Sequence, residues 1–480
     1  MPSDGIHAQY YLNVLLPAAA LSLALHVWAV MSPVAVVNAD EAMTGLQAYN
    51  VLQGHVALVV EGNGYGGALE SYLTTPILLV TSGTVALKAV PVFLSFVFGF
   101  AMAWASTPLL GRRVAVIACA VTWISSGASV SLWSHNYLGY ASGAIALVMS
   151  LGCAVRAVRT WSPAVVFGAG FSAGFALWGH PVFGLLAGLG CLSILVRRRG
   201  LLYAGLGAVT GALPWLIYLG GHEFPPVPVL VRSTTYLERV QILVTELLPS
   251  GFGLRTVSGH WVEPFFLTAA AAALLIVVAL AGLVMLPRWA GPEALPFTIS
   301  GIGAFPVLAI FQAMSFSTDG RYSVAFLPML LVGLFGWSRA GSATAQPRLR
   351  VAAAIPLVWG FLACVPSLHA TSGWVWENPN RDAEDAVVQL RERGVTAVRG
   401  DYWAVYLLDY YGQGQLDSLP DSAPRLLEDA ARARATPAAH VAFVYEAGSV
   451  EAGAVTLPGP SADYQSIPAG RWEIWLPAAP

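Results

Sequence analysis

The feature that most constrains this chain is a succession of apolar runs, each near the thickness of a bilayer core, separated by short breaks that carry arginine. A spanning helix needs about 20 apolar residues, because hydrocarbon satisfies no exposed backbone N–H or C=O group. Eleven runs are read, at about 12–37, 83–106, 114–130, 137–155, 162–178, 182–196, 201–219, 265–286, 296–314, 322–338 and 351–370. The sixth is short enough to be tilted or partly re-entrant. Apolar residues make up 56% of the 480 positions and charged ones 10%. Ordinary soluble domains are about 25% charged, so a soluble enzyme and a disordered chain are both excluded. With a net charge of -2 there is no basic field for phosphate backbones, so nucleic acid is not a partner. The expected fold class is an α-helical polytopic membrane protein of about eleven transmembrane helices, with a C-terminal soluble α/β domain.

Residues 1–11 hold no Lys or Arg, and the first run is longer than the apolar stretch of about 7–15 residues in a signal peptide. Val37-Asn38-Ala39 resembles a signal-peptidase site with cleavage before Asp40, but on these grounds the first run is read as an uncleaved helix. Basic residues mark the cytoplasmic side. With the N-terminus there, cytoplasmic turns hold Arg112, Arg113, Arg156, Arg159, Arg197 to Arg199, Arg288, Arg339, Arg348 and Arg350. Opposite turns before the tail hold only Arg232, Arg239, Arg255 and Arg321. An odd number of spans places the tail outside a plasma (inner) membrane. Of the acids before residue 371, only Asp4 and Glu293 fall on the cytoplasmic side. That bias fits a working outer surface, and it equally fits outer loops that are simply longer and more polar.

The division expected is a transmembrane domain over 1–370, with long outer loops at 38–82 and 220–264, and an extracytoplasmic α/β domain over 371–480. Helices are expected at 382–393 and 402–411, and strands near 395–400, 440–445 and 472–476. The tail is acidic, with 15 of the 26 acids and 8 of the 24 basic residues. Cys119, Cys153, Cys191 and Cys364 all lie in apolar runs, with neither a disulfide framework nor metal-ligand spacing.

Asn38-Ala39-Asp40-Glu41-Ala42 sets two adjacent carboxylates where the first helix leaves the membrane. An amphipathic stretch follows, with Met43, Leu46 and Tyr49 on one face, and reads as an interfacial helix. Asp40 is either a catalytic carboxylate or a cap on that helix. Next comes Glu61-Gly62-Asn63-Gly64-Tyr65-Gly66-Gly67-Ala68-Leu69-Glu70, whose glycines let backbone approach a ligand closely. No Gly-Lys-Ser/Thr follows, so it is not a phosphate loop. Glu70 is either folded back against Asp40, where paired carboxylates hold a cation or raise a pKa, or a solvated helix-start residue.

These motifs resemble the GT-C superfamily of membrane glycosyltransferases, and within it glycosyltransferase family 39, which includes protein O-mannosyltransferases and lipid A aminoarabinose transferases. Phe175-Ala176-Leu177-Trp178-Gly179-His180-Pro181, Gly211-Ala212-Leu213-Pro214-Trp215, Gly320-Arg321-Tyr322 and Asp401-Tyr402-Trp403 extend the resemblance along the chain. It implies a polyprenyl-phosphate sugar donor and transfer, usually inverting, to a glycan, lipid or protein acceptor on the outer face. Asp40 matches the likely catalytic base and Glu41 its supporting acid. Glu70 matches an acid that lies beside a bound metal in the aminoarabinose transferases. Those enzymes place Lys after that acid, and Ser71 stands here, which leaves a divalent metal cofactor undecided, with Glu70 and His260 as candidate ligands.

The chemistry asks for a base to deprotonate a hydroxyl and for cations to stabilise the departing phosphate. Asp40 is the candidate base. Arg321, with guanidinium geometry suited to phosphate, is the candidate contact for the leaving group; its alternative is an anchor paired with Asp319. Tyr65, Tyr322, His135 and His180 are further substrate-side candidates, though a histidine at a helix end is more often simply hydrogen-bonded. Lys88, the sole lysine, is expected to snorkel to the headgroups, with donor phosphate as the alternative. A polyprenyl-linked sugar flippase or transporter is the competing function. It requires ionisable groups near the midplane on broken helices, and the glycine-rich 164–190 segment is compatible with it.

Overall fold

The computed structural model describes residues 3–124, 127–195, 198–221, 234–256, 259–310, 321–340, 375–421, 424–447 and 464–477, with a few isolated positions between 358 and 373. The eleventh run, Asp319 and part of the second long loop lie outside the described residues. The chain forms two compact units. One comprises Met1–Ala29, Pro91–Ser134 and Gly139–Val375; the other comprises Val30–Val90, His135–Leu138 and Trp376–Pro480.

The first unit is built of apolar helices. Across the described chain, Tyr11–Val30, Gly83–Leu110, Tyr140–Thr160 and Phe265–Ala290 are long and apolar enough to cross a membrane. Arg199–Gly211 and Leu213–Gly221 make a fifth span if the bent pair counts as one. The seventh apolar run is thus not one straight helix but two, inclined at 62°. Pro214 supplies the reason, since it has no N–H to continue the ladder of the helix before it. The sixth run is a short helix, Pro181–Cys191, finished by a 3-10 turn at Leu192–Ile194. The tenth begins as a 3-10 turn, Arg321–Ala325, before Leu327–Gly336.

Small residues set how closely these helices pack. A Cβ on Gly170 or Gly174 would collide with the carbonyls of Ala204 and Ala208, and one on Gly207 or Gly211 with those of Phe167 and Phe171. Pro163–Gly179 and Arg198–Gly211 therefore meet backbone to backbone. This is how helices gain dispersion contact where apolar surroundings provide no hydrophobic drive.

The second unit carries a five-stranded mixed sheet: β1 (Ala397–Gly400), β2 (Asp417–Pro420), β3 (Val441–Glu446), β4 (Tyr464–Ala469) and β5 (Trp472–Pro477), in the order β2-β1-β3-β5-β4. The first three are parallel, with Val398 opposite Ser418 and Ala442; β5 runs antiparallel to β3 and β4. Helix Arg381–Glu392 turns Ala383, Ala386, Val387 and Leu390 inward at helical spacing. Helix Tyr402–Tyr411 starts at Asp401, whose carboxylate accepts from the N–H groups of Trp403 and Ala404.

Helix Ala39–Leu52 packs onto this same core. Ala42, Met43 and Leu46 join Tyr406, Tyr410, Val398 and Ile474 in one buried cluster. Its apolar face is thus covered by protein rather than laid on an interface, which corrects the interfacial reading. Gly45 has no room for a side chain, since a Cβ there would collide with the Tyr410 ring. We expect Gly45→Ala to destabilise this unit by about 1–3 kcal/mol through overpacking, seen as a lower thermal midpoint in detergent; an unchanged midpoint would contradict this packing.

Candidate functional site

The two acids at 40 and 41 receive opposite environments from one helix turn. Asn38, not Asp40, is the N-cap: its side-chain oxygen accepts from the Glu41 N–H at 3.1 Å. Asp40 is therefore not the cap of this helix. Glu41 points inward and is completely buried. Lys88 Nζ donates to both its oxygens, at 2.7 and 2.8 Å. The Asn136 backbone N–H donates to Oε1 at 2.7 Å, and His135 Nδ1 lies 2.7 Å from Oε2. The Asn136 side-chain amide donates to the Leu87 carbonyl, 3.1 Å, and to Thr74, 3.2 Å, which ties the segment at 135–138 to two helices.

This arrangement corrects the expected place of Lys88. It is 1% exposed and does not reach for headgroups, because its ammonium is engaged by both oxygens of Glu41. His135 is engaged on both ring nitrogens, with Nε2 at 3.1 Å from the Val34 carbonyl. Burial by itself pushes the Glu41 carboxyl up, but Lys88 and His135 together outweigh it and hold it at about 2, against an ordinary 4.5.

Asp40 faces a different set of groups. Arg425 Nη2 lies 3.0 Å from its Oδ1, and both side chains keep a small exposed fraction, 17% for Arg425 and 13% for Asp40. The Arg425 guanidinium lies over the Tyr402 ring, 5.2 Å from its centroid. The Arg425 backbone N–H donates to the Tyr406 hydroxyl at 2.6 Å. Gly62, with a φ of +71°, lets the glycine loop press on this residue; a Cβ there would collide with Arg425 Cα and Cβ. Burial raises the Tyr402 hydroxyl well above its usual range, opposed by Arg425 and reinforced by Asp40 and Tyr65. Tyr402, Arg425, Asp40 and Tyr65 are therefore near neighbours.

Glu70 sits buried in the first turn of Leu69–Leu78, so it is not a solvated helix-start residue. Ser71, beside it, donates to Gln47 at 3.2 Å, and Gln47 donates to the Val59 carbonyl at 2.9 Å. Neither Glu70 nor His260 belongs to a group of three His, Cys, Asp or Glu able to hold a metal ion; among the described residues there is no such group.

In the first unit, His180 caps Pro181–Cys191, its Nδ1 accepting from the Val182 N–H at 3.3 Å. Its ring lies 4.6 Å from Tyr140 and 6.0 Å from Tyr322. Arg321 precedes Tyr322 in the 3-10 turn. His260 lies in a turn closed by its N–H on the Thr256 hydroxyl, 3.0 Å.

The structure thus joins Glu41 to His135, Asp40 to Arg425, and His180 to Tyr322. Sequence reasoning missed the Lys88–Glu41 pair and Arg425. A lone lysine in an apolar run was a signal for the first. No local spacing pointed to the second.

Lys88→Met leaves a buried carboxylate without its cation, and we expect a loss of about 3–5 kcal/mol in unfolding free energy. The acid dependence has a definite sign. The Glu41 pKa is depressed on folding, so its contribution is complete above about 4.5 and is lost as pH falls toward about 2. Glu41→Gln should remove that segment from a plot of stability against pH; its persistence would place the titrating group elsewhere.

No protein-family profile matches the chain, and no curated protein matches it by sequence. Solved structures match it in fold. Apo ArnT from Cupriavidus metallidurans superposes with a TM-score of 0.61 at 15% identity, covering 96% of this chain and 97% of that one. The same protein bound to undecaprenyl phosphate gives 0.58 at 15%, covering 97% and 98%. The apo oligosaccharyltransferase of Archaeoglobus fulgidus gives 0.54 at 14%, covering 91% and 69%. The likeness is one of fold and does not single out family 39. The chain therefore shares a fold with ArnT and the archaeal oligosaccharyltransferase, and its described residues include four helices, or five if the bent pair counts as one, long and apolar enough to cross a membrane.

Proposed function

We propose that the chain transfers a sugar from a polyprenyl-phosphate donor to an acceptor on the outer face of a plasma membrane, with inversion at the anomeric carbon. The N-terminus is cytoplasmic, residues 1–370 form the membrane domain, and residues 371–480 are extracytoplasmic. The observation that carries this reading is the division of labour between adjacent acids. Glu41 is consumed by a buried ion pair, which fixes the helix turn. Asp40, one residue earlier, stays at the edge of the core among an arginine and tyrosines.

In the step, an acceptor oxygen attacks the anomeric carbon as Asp40 takes its proton. The bond from that carbon to the phosphate oxygen breaks, and the prenyl phosphate leaves with the electron pair. Glu41 supports Asp40 from within the fold. Glu70 is the acceptor- or metal-side acid, Arg321 contacts the phosphate, and Tyr65, Tyr322 and His180 serve the substrates, while His135, taken up by Glu41 and the Val34 carbonyl, acts through Glu41. No step is routed through a metal. Two fold relatives support the donor class: ArnT was solved bound to undecaprenyl phosphate, and the archaeal oligosaccharyltransferase AglB in complex with a dolichol-phosphate and an inhibitory peptide.

The test is sugar transfer by purified protein supplied with a panel of polyprenyl-phosphate sugars. Asp40→Asn should lower kcat by about 100-fold or more while the donor KM changes little, as expected for loss of a general base. Undiminished turnover in a folded variant would move the base elsewhere.

A further inference from the structure

Around Asp40 the structure leaves buried donors without acceptors. Among the described residues, Arg425 Nη1, the Tyr402 hydroxyl and the Asn63 side-chain nitrogen are buried and have no hydrogen-bond partner. Native folds leave few such groups, and each calls for an explanation. These three are close in the fold. The Arg425 guanidinium lies over the Tyr402 ring, and Asn63 adjoins Gly62, whose Cα has room only for hydrogen against Arg425. All three residues can donate, and one is a permanent cation. Donors gathered on a cation suit an oxygen-rich anion.

The charges favour the same conclusion. Lys88 is spent on Glu41. Arg425 Nη2 is ion-paired with Asp40 at 3.0 Å, and its Nη1 has no hydrogen-bond partner. A carboxylate alone would repel an incoming phosphate, and a guanidinium held between the two anions offsets that repulsion. Arg425 is also preorganised: its backbone is tied to Tyr406, its flank rests on Gly62 and its plane is supported by Tyr402. Little further ordering is required when a ligand arrives.

We propose that Arg425, with Tyr402 and Asn63, binds a phosphate group of the substrate next to Asp40. This rests on the polyprenyl-phosphate reading above. It adds a binding residue that no sequence motif indicated.

Binding of undecaprenyl phosphate to purified full-length protein tests it without requiring turnover. Arg425→Gln should weaken binding about 10-fold or more, the scale of a lost charge-assisted hydrogen bond. Arg425→Lys should recover part of the loss, and Tyr402→Phe should weaken binding by a smaller factor. Asp40→Asn should preserve or tighten binding, because it removes the carboxylate that competes for the guanidinium. Thermal midpoints of each variant identify any that fail to fold, and the lysine and phenylalanine variants then decide. Wild-type affinity in folded Arg425→Gln overturns this assignment and leaves the donor reading standing. Absence of binding by the wild-type protein overturns both.

Discussion

A buried ion pair holds this site together. Glu41 and Lys88 meet at 2.7 Å in a place that excludes water almost completely. Two charges taken out of water cost several kcal/mol each, and only close geometry with further hydrogen bonds recovers that. His135 and the Asn136 N–H provide those bonds. One carboxylate thereby links helix Ala39–Leu52, helix Gly83–Leu110 and the segment at 135–138. Such a pair contributes less to net stability than to uniqueness, because few alternative packings satisfy every member at once. What it specifies here is the helix turn that carries Asp40.

Much of this was legible in the chain. The tail helix Arg381–Glu392 showed its apolar residues at helical spacing, and β3 and β5 showed runs rich in β-branched and aromatic residues. The missed elements had weak local signals. Strand β2 is four residues ending in Pro420, β4 lacks clean alternation and contains Pro468, and helix Leu427–Ala435 buries only the small Ala430 and Ala433. The count of eleven spans is not reproduced by the helices described, partly because the apolar runs break. Pro214 bends one, and others finish or begin as 3-10 turns.

The site divides in the same way. Asp40 and Glu41 announce themselves as adjacent acids after an apolar run, and the glycine loop as a place of close backbone approach. Their partners lie far away in sequence; Lys88 was marked only as a lone lysine in an apolar run, and Arg425 had no local mark. Gly62 makes the point: the glycine loop read as a place of close approach to a ligand, yet what the positive φ and missing Cβ of Gly62 accommodate is Arg425 from the tail. The cap expected at Asp40 falls to Asn38, which leaves the Asp40 carboxylate for Arg425. Tertiary pairing, rather than propensity, decides which of two neighbouring acids is structural.

In the proposed mechanism the buried Glu41–Lys88 pair serves to present Asp40. The most direct measurement is sugar transfer by the doubly neutral variant Glu41→Gln/Lys88→Met, compared with wild type at matched folded concentration. Removing both charges avoids an orphaned buried ion, so the double variant should be more stable than Lys88→Met alone. The double variant should fold yet transfer sugar at least about 10-fold more slowly, since loss of positioning is costly even when the reacting groups remain. Wild-type turnover in that folded variant would contradict it.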